Sequence, residues 1–225
     1  METIEETKTY TYAELEPSKQ EHIRNKYIES IDYEWWEGIY ELAKEEGYEL
    51  GFVIDKMYFS GFYAQGDGAS WVGQIDVLQW LRSHCNDSIG LEAWAQLIKE
   101  DFAEKHITVK QSGHYSHENT MSFGYWENML EDSCDTEDEH ATLKHDSIFQ
   151  HYHYRDLLSL IMHDENMPYK STADIEEEIA QSSREYAQDI YKKLEEEWDW
   201  HCSEEVMLEH FDYNDTKFDE EGDRV

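Results

Sequence analysis

Phe52-Val-Ile-Asp-Lys-Met-Tyr-Phe-Ser-Gly-Phe62, then Gln65-Gly-Asp-Gly68, then Ser70-Trp-Val-Gly-Gln-Ile75 is the stretch that decides the fold. Its two outer parts are rich in β-branched and aromatic residues, which suit a pleated, half-buried surface. Its middle is a strong turn signal. The spacing predicts a β-hairpin or a strand–loop–strand. In that turn both glycines are expected to supply positive φ, with Asp67 capping it; Gly66, Asp67 and Gly68 are therefore structural.

Working outward, the period changes from two to 3.6. Upstream, Ser18 is placed to cap a helix to about Ile31. A second helix is predicted over Tyr33 to Glu46, stopped by Gly47 as the residue after its C-cap. Trp35, Trp36, Ile39, Tyr40, Leu42 and Ala43 would form its apolar face. Thr9 to Tyr12 alternates like a short edge strand. Downstream, helices are predicted over Val77–Ser83 and Gly90–Lys105, the second with Leu91, Trp94, Leu97, Ile98 and Phe102 at helical spacing. Strands follow over Ile107–Gln111 and Thr120–Tyr125. Glu127 to Glu139 holds seven acids and no base, and reads as an exposed loop. Asp146 to Met162 is predicted helical. A long acidic C-terminal helix should run from about Ala173 to Trp200, with Ile175, Ile179, Tyr186, Ile190, Leu194 and Trp198 as a buried seam. Ser203 should cap a last short helix, and Phe211 to Phe218 should be a terminal strand or hook. Without regular βαβ alternation the class is α+β: an antiparallel sheet of about four to six strands packed with helices. The chain reads as a single domain, 1–225, whose sub-lobes would be 1–82 with 173–225, and 83–172.

Charge bounds the function. The 225 residues carry 18 Lys and Arg against 53 Asp and Glu, a formal charge of −35. Such self-repulsion opposes compaction. Eight Trp, sixteen Tyr and eight Phe oppose it in turn, each ring burying about 150–250 Å². The expectation is a folded protein with an acidic shell. Nucleic acid and anionic membranes are poor partners, because phosphate contacts need Lys and Arg. No apolar run approaches the roughly 20 residues of a membrane span. The acidic start Met1-Glu-Thr-Ile-Glu-Glu has no signal-peptide core. Cys85, Cys134 and Cys202 are odd in number and far apart, which reads as reduced thiols in the cytoplasm of the cell.

Three stretches stand out: Asp32-Tyr-Glu-Trp-Trp-Glu-Gly-Ile-Tyr-Glu-Leu-Ala-Lys-Glu-Glu-Gly47, Tyr58-Phe-Ser-Gly-Phe-Tyr-Ala-Gln-Gly-Asp-Gly-Ala-Ser-Trp71, and Ile190-Tyr-Lys-Lys-Leu-Glu-Glu-Glu-Trp-Asp-Trp200 with Ser203-Glu-Glu and the close Phe218-Asp-Glu-Glu-Gly222. They resemble an uncharacterised family of bacteriophage and prophage proteins often described as "antitoxin of a toxin–antitoxin stability system". The resemblance implies a phage origin and an inhibitory or antitoxin role. It brings no activity and no site residues.

Catalytic motifs are missing. Gln65-Gly-Asp-Gly68 lacks the GK[ST] ending of a phosphate-binding loop and the acid spacing of an EF-hand. There is no GxSxG and no recognisable cysteine nucleophile. His114, His117, His140, His145, His151, His153 and His163 cluster near Cys134, but with neither HExxH nor CxxC spacing, so neither metal nor cofactor is called for. The runner-up reading is nonetheless a metal- or small-ligand-binding protein, even an enzyme, centred on Gln65–Gly68 and these histidines. A third is a virion or assembly component.

The acids carry the main expectation. From Ile175 to Val225 there are 18 acids and five bases. A helix rises about 1.5 Å per residue and duplex DNA carries a charge every 1.7 Å or so, so an acidic helix face can imitate a row of phosphates. The expected function is a non-enzymatic, phage-type DNA or RNA mimic. Its partner would be a basic host protein: a nucleic-acid-binding defence nuclease, or a toxin. The residues expected to bind it are Glu176, Glu177, Glu185, Asp189, Glu195 and Glu196 on the long helix, and Asp135, Glu137, Asp138 and Glu139 in the acidic loop.

Overall fold

A computed structural model describes residues 8–31, 33–85, 88–99, 106–113, 115–124, 161 and 172–225. The chain is α+β and divides into two compact units: 38–192, and 1–37 with 193–225.

In the larger unit the hairpin is present. β1 (Phe52–Phe59) pairs with β2 (Ala69–Asp76), β2 with β3 (His106–Gln111), and β3 with β4 (Met121–Phe123), all antiparallel, in the order β1-β2-β3-β4. One sheet face carries the apolar set: Phe52, Trp71, Ile75, Ile107, Val109 and Met121 are all buried. The register of β1 on β2 shifts between Ile54 and Lys56, and the cause lies opposite. A Cβ on Gly73 would stand 2.1 Å from the Val53 carbonyl oxygen, so the two backbones close only over a residue without a side chain.

Before the sheet comes α2 (Glu37–Glu49), and after it α3 (Val77–Ser83) and α4 (Ser88–Lys99). Asp76 Oδ1 accepts the Gln79 amide at 2.9 Å and so caps α3. Trp94 Nε1 donates to the Leu78 carbonyl at 2.8 Å and ties α4 to α3. Leu91, assigned by spacing to the apolar face of α4, is exposed; among the helix residues whose burial is described, Gly90 and Ala93 are buried. The long helix α5 (Thr172–His201) runs through both units. Its seam is present: Ile175, Ile179, Tyr186 and Ile190 are buried, and Trp71 Nε1 donates to the Ser183 carbonyl at 3.3 Å.

Two boundary expectations are corrected. α2 continues through Gly47 to Glu49. Gly47 serves packing, since a Cβ there would lie 3.2 Å from both Ile54 Cδ1 and Tyr186 Cε1. The chain turns instead at Gly51, whose φ of +88° is glycine's territory. Trp35 and Trp36 precede α2 rather than lying on its face.

The smaller unit holds α1 (Pro17–Glu29), the end of α5, and α6 (Glu204–Tyr213). Ser18 is not the cap of α1: Glu16 is, without a side-chain bond, because Pro17 at the first helical position presets φ. Ser203 does cap α6, its Oγ accepting the Val206 amide at 3.3 Å. Leu15, Ile23, Met207, Phe211 and Phe218 form the core, with Tyr10, Tyr12 and Tyr27 packed around it. Thr9–Tyr12 is not a strand. It contributes one bridge, Tyr10 to Phe218, through bonds of 2.8 and 2.9 Å. Phe211 belongs to α6, so only the segment around Phe218 is the expected hook. Trp35 packs on Trp198 with ring centroids 5.3 Å apart. Both are half-buried, whereas Trp71 and Trp80 in the larger unit are fully buried.

Candidate functional site

In the larger unit the C-terminal turn of α2 unwinds over Gly51 into β1 and leaves a groove against the middle of α5. Glu46, Glu49, Leu50, Phe52, Ser182, Glu185, Tyr186 and Asp189 line about 520 Å³. The floor is apolar. Leu50 is 39% exposed, and behind it the rings of Phe52 and Tyr186 lie 5.3 Å apart. The Tyr186 hydroxyl donates to the Ala43 carbonyl at 2.6 Å, which fixes the ring. Four of the lining residues are acids: Glu46 and Glu49 from α2, Glu185 and Asp189 from α5. None of the eight lining residues is a base. Glu185 Oε1 also accepts from Gln181 Nε2 at 2.8 Å, one helical turn away.

The expected acidic residues separate. Glu185 and Asp189 come together at the groove. Glu177 is exposed on α5. Glu176 follows Ile175 of the seam by one residue, about 100° round the helix, and is half-buried. Glu195 and Glu196 lie on the part of α5 in the smaller unit, half-buried and exposed respectively. Asp135, Glu137, Asp138 and Glu139 lie outside the described residues. Spacing along α5 could not reveal Glu46 and Glu49, which reach the groove from a helix about 140 residues earlier.

The loop between β1 and β2 is built as a structural turn. Asp67 Oδ2 accepts the Ala64 amide at 2.7 Å, and the Ser60 amide donates to the Gly68 carbonyl at 3.2 Å. Gly66 has φ +95°. Gly68 does not have positive φ; its requirement is space, since a Cβ would meet His117 Cδ2 at 2.9 Å. The Tyr191 hydroxyl donates to the Gly61 carbonyl at 3.2 Å, and Phe62 lies between Phe59 and Tyr191 at centroid distances of 5.8 and 5.5 Å. This frame holds Tyr63 at φ +74° and 74% exposed. Positive φ is uncommon for a bulky residue, and nothing in the sequence marks it.

Of the histidines, His117 is described: its Nδ1 lies 2.9 Å from Glu118, which also accepts from Gln188 Nε2 at 2.9 Å. His114, His140, His145, His151, His153 and His163, with Cys134, lie outside the described residues. Among the described residues no group of three or more His, Cys, Asp or Glu could hold a metal ion, and no helix is long and apolar enough to cross a membrane. Burial pushes the Cys202 thiol up, and the Asp199 carboxylate adds to the shift; both disfavour the thiolate that nucleophilic chemistry needs.

A family described as a domain of unknown function, DUF8835, matches residues 35–204. The match covers about three quarters of the chain and includes both the groove and the β1–β2 loop. No curated protein and no solved structure matches.

Proposed function

We propose a function for a chain that belongs to the DUF8835 family, a domain of unknown function: it is a non-enzymatic, phage-type inhibitor. It works in the cytoplasm of the bacterial host cell. It binds the basic, nucleic-acid-binding surface of a host defence nuclease or a toxin, its carboxylates taking the places of phosphates. The observation that carries this reading is the α2–α5 groove, where four of the eight lining residues are acids and none is a base, in a chain of charge −35. Charge of one sign speeds encounter with a basic surface and rejects acidic ones; the apolar floor adds what charge lacks, a shape to fit.

The test is capture from a bacterial lysate on the immobilised chain, followed by identification of the captured protein and a DNA-binding measurement on it. The expected result is displacement of DNA by the chain at about 50 mM salt and much weaker displacement at about 200 mM, as counterion release dictates. A captured basic protein whose DNA binding is unchanged by a saturating amount of the chain contradicts the proposal.

A further inference from the structure

We infer that the smaller unit carries a binding site for a small carboxylate whose apolar body is no larger than one six-membered ring. The site goes beyond the inhibitor reading and does not depend on it. It lies between α1, α6 and the C-terminal hook, around a cavity of about 160 Å³. The chain's last residues build its mouth. Asp219 Oδ1 accepts the Glu221 and Asp223 amides at 3.0 and 2.8 Å, Gly222 turns at φ +89°, and Arg224 returns to bridge Phe218. The floor is apolar. Ile23, Phe211 and Phe218 are buried, and the half-buried Tyr27 ring meets Phe211 edge-on with centroids 5.8 Å apart. Lys26, His210 and Arg224 complete the lining as exposed side chains. None of the nine lining residues is an acid, in a chain with 53 acids.

Arg224 sets the chemistry of the ligand. Lys26 Nζ already has a partner, Asp223 Oδ1 at 2.6 Å. The Arg224 guanidinium carries five donors. One goes to Thr216 Oγ1 at 3.0 Å, and His210 Nε2, at 3.5 Å, is beyond ordinary hydrogen-bond length. Among the described residues no carboxylate pairs with it. Arg224 thus lines an apolar-floored cavity with donors to spare. A carboxylate can take two parallel N–H bonds from such a fork. A neutral apolar molecule would cover the guanidinium and offer it no acceptor, which is costly. Inorganic phosphate would meet the donors and gain nothing from the floor. Size sets the body: an apolar cavity of about 150 Å³ holds benzene, so a single ring fits here and a nucleotide does not.

The test uses the full ¹⁵N-labelled chain and three probes: benzoate, its neutral counterpart benzamide, and inorganic phosphate. With benzoate, saturable shifts are expected at the amides of Ile23, Tyr27, Phe211 and Gly222 and at the Arg224 Nε–H. Benzamide and phosphate should each bind roughly tenfold more weakly or worse, since a bond to a charged group contributes about 1.5–3 kcal/mol. Arg224→Gln should weaken benzoate binding by a similar factor, and Arg224→Lys, which keeps the charge without the fork, should restore only part of it. Cooperative thermal unfolding shows that these variants are folded. Ser30→Leu, at the exposed end of α1, should block benzoate with Arg224 in place. Five results overturn the inference. They are benzamide or phosphate binding as tightly as benzoate, shifts scattered outside the cavity, no saturable shift with any probe, undiminished benzoate binding by folded Arg224→Gln, and concentration-dependent shifts at the cavity without probe, which would make a second copy the occupant.

Discussion

The Tyr186 hydroxyl donates a 2.6 Å hydrogen bond to the carbonyl oxygen of Ala43, itself fully buried in α2. This contact joins the two helices that form the groove, and it holds the ring that floors it. Within α2 the Ala43 carbonyl lies where the helix ladder already supplies a donor, so the tyrosine bond is an addition. Tyr186→Phe should therefore cost only about 0.5–1.5 kcal/mol, measured by urea unfolding. A loss well above that range would mean that the hydroxyl organises more than this contact.

Glycine substitutions should divide by geometry. Gly73→Ala drives a Cβ to 2.1 Å from the Val53 carbonyl oxygen, so β1 and β2 must part; a loss of about 3 kcal/mol is expected. Gly38→Ala meets nothing within 4 Å near the start of α2 and should stabilise by about 0.5–1 kcal/mol. Equal effects of the two in denaturant melts would contradict the register described for β1 and β2.

Tryptophan truncations should rank by burial. Trp71 is fully buried, with its Nε1 bonded to Ser183, and Trp71→Ala should cost about 3–5 kcal/mol. Trp36 and Trp198 are half-buried, so their alanine variants should cost less. The reverse ranking would place the main core elsewhere.

Burial pushes the Tyr40 hydroxyl from its ordinary 10.0 up to about 12. The folded state then holds the phenolic proton more tightly than the unfolded state. Its stability contribution is complete below about pH 10 and is lost as pH rises through about 12. Tyr40→Phe should flatten the alkaline fall in unfolding free energy between those limits. An alkaline fall identical in both proteins would contradict the burial of this hydroxyl.

Local chemistry made much of the fold legible. The hairpin, α3, the cap at Ser203 and the buried seam of α5 follow from period, turn residues and capping preference. Gly47 and Gly51 show where that reading stops. Both are glycines near the end of one apolar pattern, and only tertiary contact with Ile54 and Tyr186 makes Gly47 a packing residue. Trp35 and Trp36 misled for a related reason: aromatic residues beside a helix look like its face, whereas Trp35 packs on Trp198, far along the chain, and Trp36 packs on Trp35. The candidate site was half legible. Glu185 and Asp189 stand out along α5, but Glu46 and Glu49 are surface acids of another helix. No periodicity reports which surface acids the fold brings together.

In the proposed mechanism, acidic residues lining the groove compete with nucleic acid for a basic partner. The most direct measurement is displacement of DNA from the captured partner by the variant Glu46→Gln, Glu49→Gln, Glu185→Gln, Asp189→Asn, at about 50 mM salt. Single changes should matter little, since one exposed pair contributes about 0–1 kcal/mol. The variant should still unfold cooperatively on heating, which shows that it remains folded. This folded variant should no longer displace DNA; undiminished displacement would contradict the proposed mechanism.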